Sequence, residues 1–315
     1  MANKLYNETS VQDIANAIRS VNGSTDTYKI GDMAAAVAGI STGLNWADLN
    51  YNTTGPNKGT PAEVVNGFNY AKQIMTTYTA SSVYTNDSKL LFWPNIDITE
   101  RYNYQGMFNG SSLLHCSPVT LGEQTPTGTI TTNSMFYGTN IEQIEVNSVN
   151  NLPVNYNATF QNCKRLKTAQ INTPADASIE HMFEGCAALT TVNSFNTSTV
   201  NNTRYVFKGC SSLVTAPVLD TGNSTIFNEM FNGCTVLESV PVYDTAKCTN
   251  FTSMFYQCPA LTDTSLDNIL QMCTNATAYT GSKKLSQLGI ANTYDTRIQA
   301  LTHYQNFLDA GWVIR

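Results

Sequence analysis

Residues 230–245 read MFNGCTVLESVPVYDT and contain the unit that decides the fold. The phenylalanine of this unit returns along the chain at steps of 23 to 28 residues. Its positions are Phe108, Phe136, Phe160, Phe183, Phe207, Phe231 and Phe255. A sequence period near 24 residues predicts a solenoid, because each repeat must bury its apolar side against its neighbours. We therefore predict an α+β protein built on a leucine-rich-repeat-like solenoid of about seven repeats.

Each repeat also predicts one short parallel strand. Leu237, Val240 and Val242 follow an L-x-x-L-x-L pattern, in which alternate side chains point inward. The strand positions between them are expected to face outward and to form a binding surface. Its predicted residues are Asn193, Phe195, Pro217, Leu219, Pro241 and Tyr243. The segment before each phenylalanine, such as residues 249–255, is long enough for one helical turn.

Turn residues recur between these segments. Asn196, Asp220 and Asp244 each precede a threonine, and such side chains accept hydrogen bonds from nearby backbone N–H groups at turns. A glycine before the cysteine, as at Gly209 and Gly233, suits a tight corner that requires a positive φ.

A cysteine lies three residues after the phenylalanine in five copies, at Cys163, Cys186, Cys210, Cys234 and Cys258. These spacings match no zinc module, and no C-x-x-C pair is present. The first two copies carry Ser111 and Thr139 instead, which a small buried slot tolerates better than a metal site or a disulfide. We predict reduced, buried cysteines, with no metal and no cofactor.

Composition limits the functions that are open to the chain. Only 13% of its 315 residues are charged and the net charge is −6, without a run of Lys or Arg. The sequence therefore predicts no nucleic-acid binding. No apolar segment approaches the ~20 residues of a membrane helix, so we predict no membrane insertion. The N-terminus also lacks the charged start and apolar core of a signal peptide.

The flanks of the solenoid differ from its repeats. Residues 1–43 are predicted to be a helical docking segment whose apolar positions include Ile14, Ile18, Met33 and Val37. Residues 44–106 supply bulky apolar side chains and are predicted to cap the solenoid, which then covers residues 107–263. Residues 264–315 show helical spacing and are predicted to form a helical C-terminal cap.

Two resemblances follow from these patterns. The unit Met-Phe-x-Gly-Cys-x-x-Leu resembles bacterial surface (BspA-like) leucine-rich repeats over residues 90–262. The segments 11–19, 23–26 and 32–37 resemble the opening of tail and fibre proteins of phages that infect Gram-positive gut bacteria. This second resemblance implies a virion protein that is assembled in the host cytoplasm. It also implies docking to other tail or baseplate proteins through the N-terminus, and a homo-oligomer, with a trimer as the expected state.

The sequence favours binding over catalysis, and we predict no catalytic residue. None of the three histidines, His115, His181 and His303, lies near a nucleophile motif. Asp220 and Asp244 lie one repeat apart and could approach the carboxylate separation that glycan cleavage requires, but their positions favour a role as turn caps.

The first hypothesis is thus a receptor-binding or tail fibre protein whose ligand is a host surface glycan or protein. The alternative is a structural fibre, or a head or baseplate decoration protein, whose repeat surface contacts neighbouring subunits. A polysaccharide depolymerase and a host adhesin are less favoured classes.

Overall fold

The computed structural model describes residues 84–86, 92–93, 103–116, 118–122, 129–148, 153–172 and 176–315. The predicted docking segment at residues 1–43, with Ile14, Ile18, Met33 and Val37, lies outside the described residues. Most of the predicted N-terminal cap at residues 44–106 also lies outside them.

Short parallel strands recur along the described chain. They are β1 (Phe92–Trp93), β2 (His115–Cys116), β3 (Val119–Leu121), β4 (Ile130–Thr131), β5 (Gln143–Ser148), β6 (Val154–Asn155), β7 (Thr168–Asn172), β8 (Asp176–Ser178) and β9 (Thr191–Val192). All of their pairings are parallel, in sheets of order β1-β2, β3-β5-β7-β9 and β4-β6-β8. Parallel pairing of segments about one repeat apart means that the chain returns to the same place after each coil. The leucine-rich-repeat region is thus a repeat fold, as predicted.

After β9 the strands shorten to isolated bridges. Thr215 pairs with Ser239 in parallel, and Ile226 pairs with both Asn202 and Asn250. The stacking of coils continues there, because backbone hydrogen bonds still link successive coils, as in the bond from the Ala216 N–H to the Ser239 carbonyl at 2.9 Å.

At its phenylalanine each coil forms a hydrogen-bonded turn. The helical turn expected before the phenylalanine is therefore wrong. Every second N–H bonds within the turn, whereas the others bond to the next coil. In one coil the N–H groups of Ser134, Phe136 and Gly138 donate to the carbonyls of Asn157, Thr159 and Gln161 at 2.9–3.1 Å. An α-helix would direct all of these N–H groups along its own axis. The coils would then lose the ladder of hydrogen bonds that joins each coil to the next.

The ladder requires backbone of alternating handedness. The residue two before the phenylalanine has a positive φ even where it is not glycine, as in Ala158, His181 and Tyr205 at 54–60°. The residue two after it is also left-handed, and Gly209 and Gly233 take that place with φ of 73° and 79°. The predicted tight corner at these glycines is confirmed.

The phenylalanine rings stack through the core. Consecutive ring centroids from Phe108 to Phe255 are 5.2–5.8 Å apart, with interplanar angles of 25° or less. Tyr84 extends the stack beyond the series seen in the sequence, 5.9 Å from Phe108. All of these rings are buried.

The cysteines form a second column in the core. Each thiol donates a hydrogen bond to the phenylalanine carbonyl of the preceding coil, as from Cys163 Sγ to Phe136 O at 2.9 Å and from Cys258 Sγ to Phe231 O at 3.1 Å. All five cysteines are buried and free. In the coil before Cys163, Thr139 Oγ1 takes the equivalent place and lies 3.4 Å from Cys163 Sγ.

Helices follow the last coil. They are α1 (Asp263–Asn275), the 3₁₀ helices Leu285–Leu288 and Asn292–Tyr294, α2 (Asp295–Ile298) and α3 (Tyr304–Asp309). The first 3₁₀ helix lies where a further coil would lie. The N–H groups of Ser253 and Phe255 donate to the carbonyls of Gln287 and Leu288, both at 2.8 Å.

Burial gives the thiols a predictable effect on stability at alkaline pH. It raises the pKa values of Cys163 and Cys258 from the ordinary 9.0 to about 12. A raised folded-state pKa means that the protonated thiols stabilise the folded protein. This stabilisation is fully present below the unfolded-state pKa of about 9. It is lost as the pH rises toward about 12.

We therefore expect the melting temperature to fall between these two pH values, and to fall less steeply in the double variant Cys163→Ser, Cys258→Ser. Serine does not titrate in this range and can still donate a hydrogen bond. Thermal melts followed by circular dichroism across the pH range measure the two slopes, and equal slopes would contradict this role of the thiols.

Candidate binding surface

The candidate surface is formed by the outward side chains of β5, β7 and β9 and of the equivalent segments 214–219 and 238–243. We call it the strand-side face. Successive coils meet there in register: Gln143 pairs with Thr168, Thr168 with Thr191, and Thr215 with Ser239. Equivalent positions of neighbouring coils therefore form columns along the solenoid axis.

The outward orientation predicted for most of the binding surface is wrong. Phe195, Leu219 and Tyr243 are only 7%, 6% and 1% exposed, and Pro217 is also buried. Tyr243 Oη donates a hydrogen bond to the Pro217 carbonyl at 2.8 Å inside the core. Asn193 and Pro241 are partly buried.

The prediction is wrong about which residues of the later strand segments face inward. In β5 and β7 the inward positions alternate as predicted, with Ile144 and Val146 buried, then Ala169 and Ile171. In the later coils the inward positions recur at steps of three residues, as in Leu237, Val240 and Tyr243. Without a continuous strand ladder the backbone no longer keeps the two-residue alternation of a strand. Val242, which we expected to be buried, therefore faces outward.

Apolar side chains are exposed at these shifted positions. Val218 and Val242 are 65% and 41% exposed and lie at equivalent positions one repeat apart, and Val214 is also exposed. We call Val214, Val218 and Val242 the valine surface. Exposed apolar side chains that form a patch often mark protein contacts.

The earlier coils carry a polar furrow on the same face. Its volume is about 380 Å³, and its lining residues are Cys116, Pro118, Gln143, Ile144, Glu145, Thr168, Ala169, Gln170, Thr191 and Asn193. One side is the column Gln143, Thr168 and Thr191. The other side is the column Glu145, Gln170 and Asn193. Ile144 and Ala169 lie between the two columns along β5 and β7 and line the floor, and their side chains point inward to the core.

The two sides of the furrow differ in their hydrogen bonds. Asn193 Oδ1 accepts from the Ile171 N–H at 2.7 Å, and Asn193 Nδ2 donates to the Ile171 carbonyl at 3.0 Å, so this side chain continues the sheet. Glu145 Oε1 accepts from Asn147 Nδ2 at 3.2 Å. Within the described part of the chain, the side chains of Gln143, Thr168 and Thr191 form no hydrogen bond.

A second hollow, of about 590 Å³, lies where the last coil meets α1; most of its polar side chains are engaged within the chain, and the exposed Asn275 amide is the exception among the described residues. Asp244 Oδ1 accepts from the Ala246 N–H, Thr277 Oγ1 donates to the Ala246 carbonyl, and Thr274 Oγ1 donates to the Leu270 carbonyl. The smaller furrow therefore offers more hydrogen-bonding groups to a ligand.

The carboxylates that sequence analysis considered for glycan cleavage hold turns. Asp220 Oδ1 accepts from the Gly222 N–H at 3.1 Å, and Asp244 Oδ1 accepts from the Ala246 N–H at 2.9 Å. Asn196 makes the same contact with the Ser198 N–H at 3.0 Å. The predicted turn role of these residues is confirmed.

The described histidine side chains are paired with carboxylates. His181 Nδ1 lies 2.6 Å from Glu184 Oε2, and its ring stacks on Tyr205 with centroids 4.7 Å apart. His303 Nδ1 lies 2.9 Å from Asp267 Oδ2, which joins α3 to α1. In the part of the chain that the structure describes, no group of His, Cys, Asp and Glu is placed to hold a metal ion. The same residues contain no helix that is long and apolar enough to cross a membrane.

Comparison with known families agrees with this fold. Residues 104–214 match the BspA type leucine rich repeat region in six copies, and residues 177–292 match DUF285, a Mycoplasma protein of unknown function. The chain therefore contains BspA-type leucine-rich repeats, and that resemblance is confirmed. Neither matched model concerns phage tail or fibre proteins. No curated protein and no solved structure matches the chain.

The sequence carries a signal for the furrow, of which the expected binding surface contains only Asn193. Polar residues recur two apart on the same strand in successive repeats, at Gln143 with Glu145, Thr168 with Gln170, and Thr191 with Asn193. Of the residues expected in the binding surface, Asn193 lines the furrow, whereas Phe195, Leu219 and Tyr243 belong to the core.

Because Tyr243 faces inward and Val242 faces outward, substitutions of these two adjacent residues should affect stability to very different extents. Tyr243→Ala should destabilise the protein by about 3–5 kcal/mol, because it removes a buried ring and its hydrogen bond. Val242→Ala should cost about 1 kcal/mol or less, since this side chain is 41% exposed and lies outside the core. Urea unfolding of the two variants measures the difference. Equal losses would contradict the assigned orientation.

Proposed function

We propose that this protein binds a partner without catalysis, as a tail fibre or receptor-binding component of a phage virion. In this proposal residues 1–43 dock it to other tail or baseplate proteins, and the strand-side face is presented to the host cell envelope. The observation that carries the proposal is that this face combines an exposed valine surface with an open polar furrow. The exposed valines lie outside the core, and the furrow side chains of Gln143, Thr168 and Thr191 form no side-chain hydrogen bond within the described chain.

The assignment to a virion rests on the sequence resemblance of residues 11–37 to phage tail and fibre proteins. The binding role rests on the repeat fold, since repeat proteins present extended surfaces to partners. The turn roles of Asp220 and Asp244 further favour binding over glycan cleavage. We propose no role in nucleic-acid binding or in membrane insertion.

The proposed architecture is a solenoid of about seven repeats with residues 264–315 as its helical C-terminal cap. The regular stacking of Phe108 to Phe255 supports the number of repeats. The hydrogen bonds from Ser253 and Phe255 to residues 287 and 288 support the cap. By analogy with virion fibres we propose a homo-oligomer, with a trimer as the expected state.

The second candidate function is a purely structural fibre, or a head or baseplate decoration protein. The valine surface favours it, because aligned exposed valines suit a contact with a neighbouring subunit. The two functions differ in what the valine surface contacts, and the same variants separate them.

We expect the double variant Val218→Asp, Val242→Asp to abolish adsorption to host cells and to leave the particles intact. Both side chains are exposed, so the fold should persist, whereas two carboxylates would disrupt an apolar contact. Val236→Asp is the matched control, because Val236 is also exposed but lies outside the valine surface. Adsorption assays and electron microscopy of particles give the two readouts. Failure of assembly would favour the structural alternative, and normal adsorption would contradict receptor binding through the valine surface.

Deletion of residues 1–43 tests the docking role. The shortened protein should remain folded, because the coils from Phe108 onward pack on one another, but it should be absent from assembled particles. Immunoblots of purified particles measure incorporation, and thermal melts of the free protein check the fold. Incorporation at the normal level would refute docking through this segment.

A further inference from the structure

The polar furrow has a shape and a chemistry that suit one kind of ligand. It runs along the solenoid axis, because its lining residues come from four successive coils. The first coil contributes Cys116 and Pro118, and the last contributes Thr191 and Asn193. A ligand that fills the furrow must therefore be elongated and unbranched.

One side of the furrow repeats from coil to coil. Gln143, Thr168 and Thr191 are exposed, lie in register, and form no side-chain hydrogen bond within the described chain. Neighbouring parallel strands are about 4.8 Å apart, and the phenylalanine rings of these coils are 5.4–5.5 Å apart. Equivalent groups at a constant spacing suit a polymer with a similar repeat. The length of one sugar residue in an extended β-1,4-linked chain is close to that spacing.

The groups that line the furrow suit the groups of such a chain. The sides of the furrow carry amides, hydroxyls and the Glu145 carboxylate, and its floor is the strand surface at Ile144 and Ala169. An extended β-1,4-linked chain is a ribbon with hydroxyl groups along both edges and C–H groups on its faces. The edges of the ribbon can meet the two polar columns while one face contacts the floor.

The charges near the furrow disfavour an anionic polymer. Among the described residues that line it, Glu145 is the charged side chain and none is a cation. The nearby cations Arg165 and Lys167 both pair with Glu142. A phosphorylated or uronic-acid chain would therefore meet a carboxylate without a compensating positive charge.

We propose that this furrow binds an extended, unbranched and uncharged β-1,4-linked polysaccharide chain. The proposal deepens the receptor-binding function, on which it rests only for the source of the chain, the host cell envelope. The binding site and its ligand chemistry can be tested on the isolated protein.

The test is isothermal titration calorimetry of the full chain with cello- and chito-oligosaccharides, from the monosaccharide to the hexasaccharide. We expect affinity to rise with chain length and to level off when the oligosaccharide covers the four coils of the furrow. Maltohexaose has the same sugar with α-linkages and a curved shape, and it should bind more weakly. Hexamannuronate, which is β-1,4-linked, should not bind, because it is anionic.

The variant Thr168→Val, Thr191→Val should weaken hexasaccharide binding by on the order of tenfold, since it removes two free hydroxyls and keeps their shape. The matched control is Thr225→Val, Thr249→Val. These threonines also lie one coil apart, but their hydroxyls donate to backbone carbonyls of the preceding coil. The control should bind the hexasaccharide as the unmodified protein does.

Several results would overturn the proposal. They are the absence of binding to both oligosaccharide series, affinity that does not depend on chain length, equal effects of the two double variants, and preferential binding of extended peptides. Adsorption of particles that carry Thr168→Val, Thr191→Val separates this proposal from the receptor function. Lost oligosaccharide binding with normal adsorption would leave the glycan site standing and refute its role as the receptor contact.

Discussion

The fold depends on hydrogen bonds that a single coil cannot make for itself. In every phenylalanine turn, alternate N–H groups point along the solenoid axis, and their acceptors are carbonyls of the next coil. Buried N–H groups without acceptors are costly, so each coil is stable only when the next coil is in place. The same requirement explains the end of the stack, where the carbonyls of Gln287 and Leu288 accept the bonds that Ser253 and Phe255 would otherwise lack. It also explains why Ala158, His181 and Tyr205 tolerate a positive φ, since only alternating handedness directs these N–H groups toward the neighbouring coil.

The features that could be predicted from the sequence are those that the stack itself imposes. The spacing of Phe136, Phe160 and Phe207 predicts stacked coils, because only a repeated structure needs the same large ring at the same depth. The Asx turns at Asp220 and Asp244 were also predictable, since the side chain and its N–H partner lie two residues apart. The two-residue alternation of a strand could not predict which residues of the later strand segments face outward. Whether Val242 or Tyr243 faces inward depends on whether a strand ladder continues through that coil, and the ladder depends on pairing with distant residues.

The cysteine column shows how one slot in the core limits the choice of residue. The slot is small, lies beside the phenylalanine carbonyl of the preceding coil, and requires a donor that can be buried at little cost. A thiol meets these conditions, because it is a weak donor that packs like a small apolar group. Thr139 also fits, but its hydroxyl needs a partner more strongly, and the Cys163 thiol lies beside it at 3.4 Å. The repeated cysteine is thus explained by packing and a weak hydrogen bond, with no need for redox or metal chemistry.

The constraints on the inward, turn and outward positions of each coil determine where a binding function can lie. Inward positions are fixed by the phenylalanine and cysteine columns, and the turn positions are fixed by the hydrogen-bond ladder. The outward positions of the strand-side face carry neither constraint, so neighbouring coils can differ there without disturbing the stack. The chain uses this freedom in two ways, with hydrogen-bonding side chains around Thr168 and Thr191 and exposed valines at Val218 and Val242. Because both surfaces lie along one axis on the same face, a polysaccharide chain in the furrow and a protein contact on the valines can be held side by side by one rigid stack.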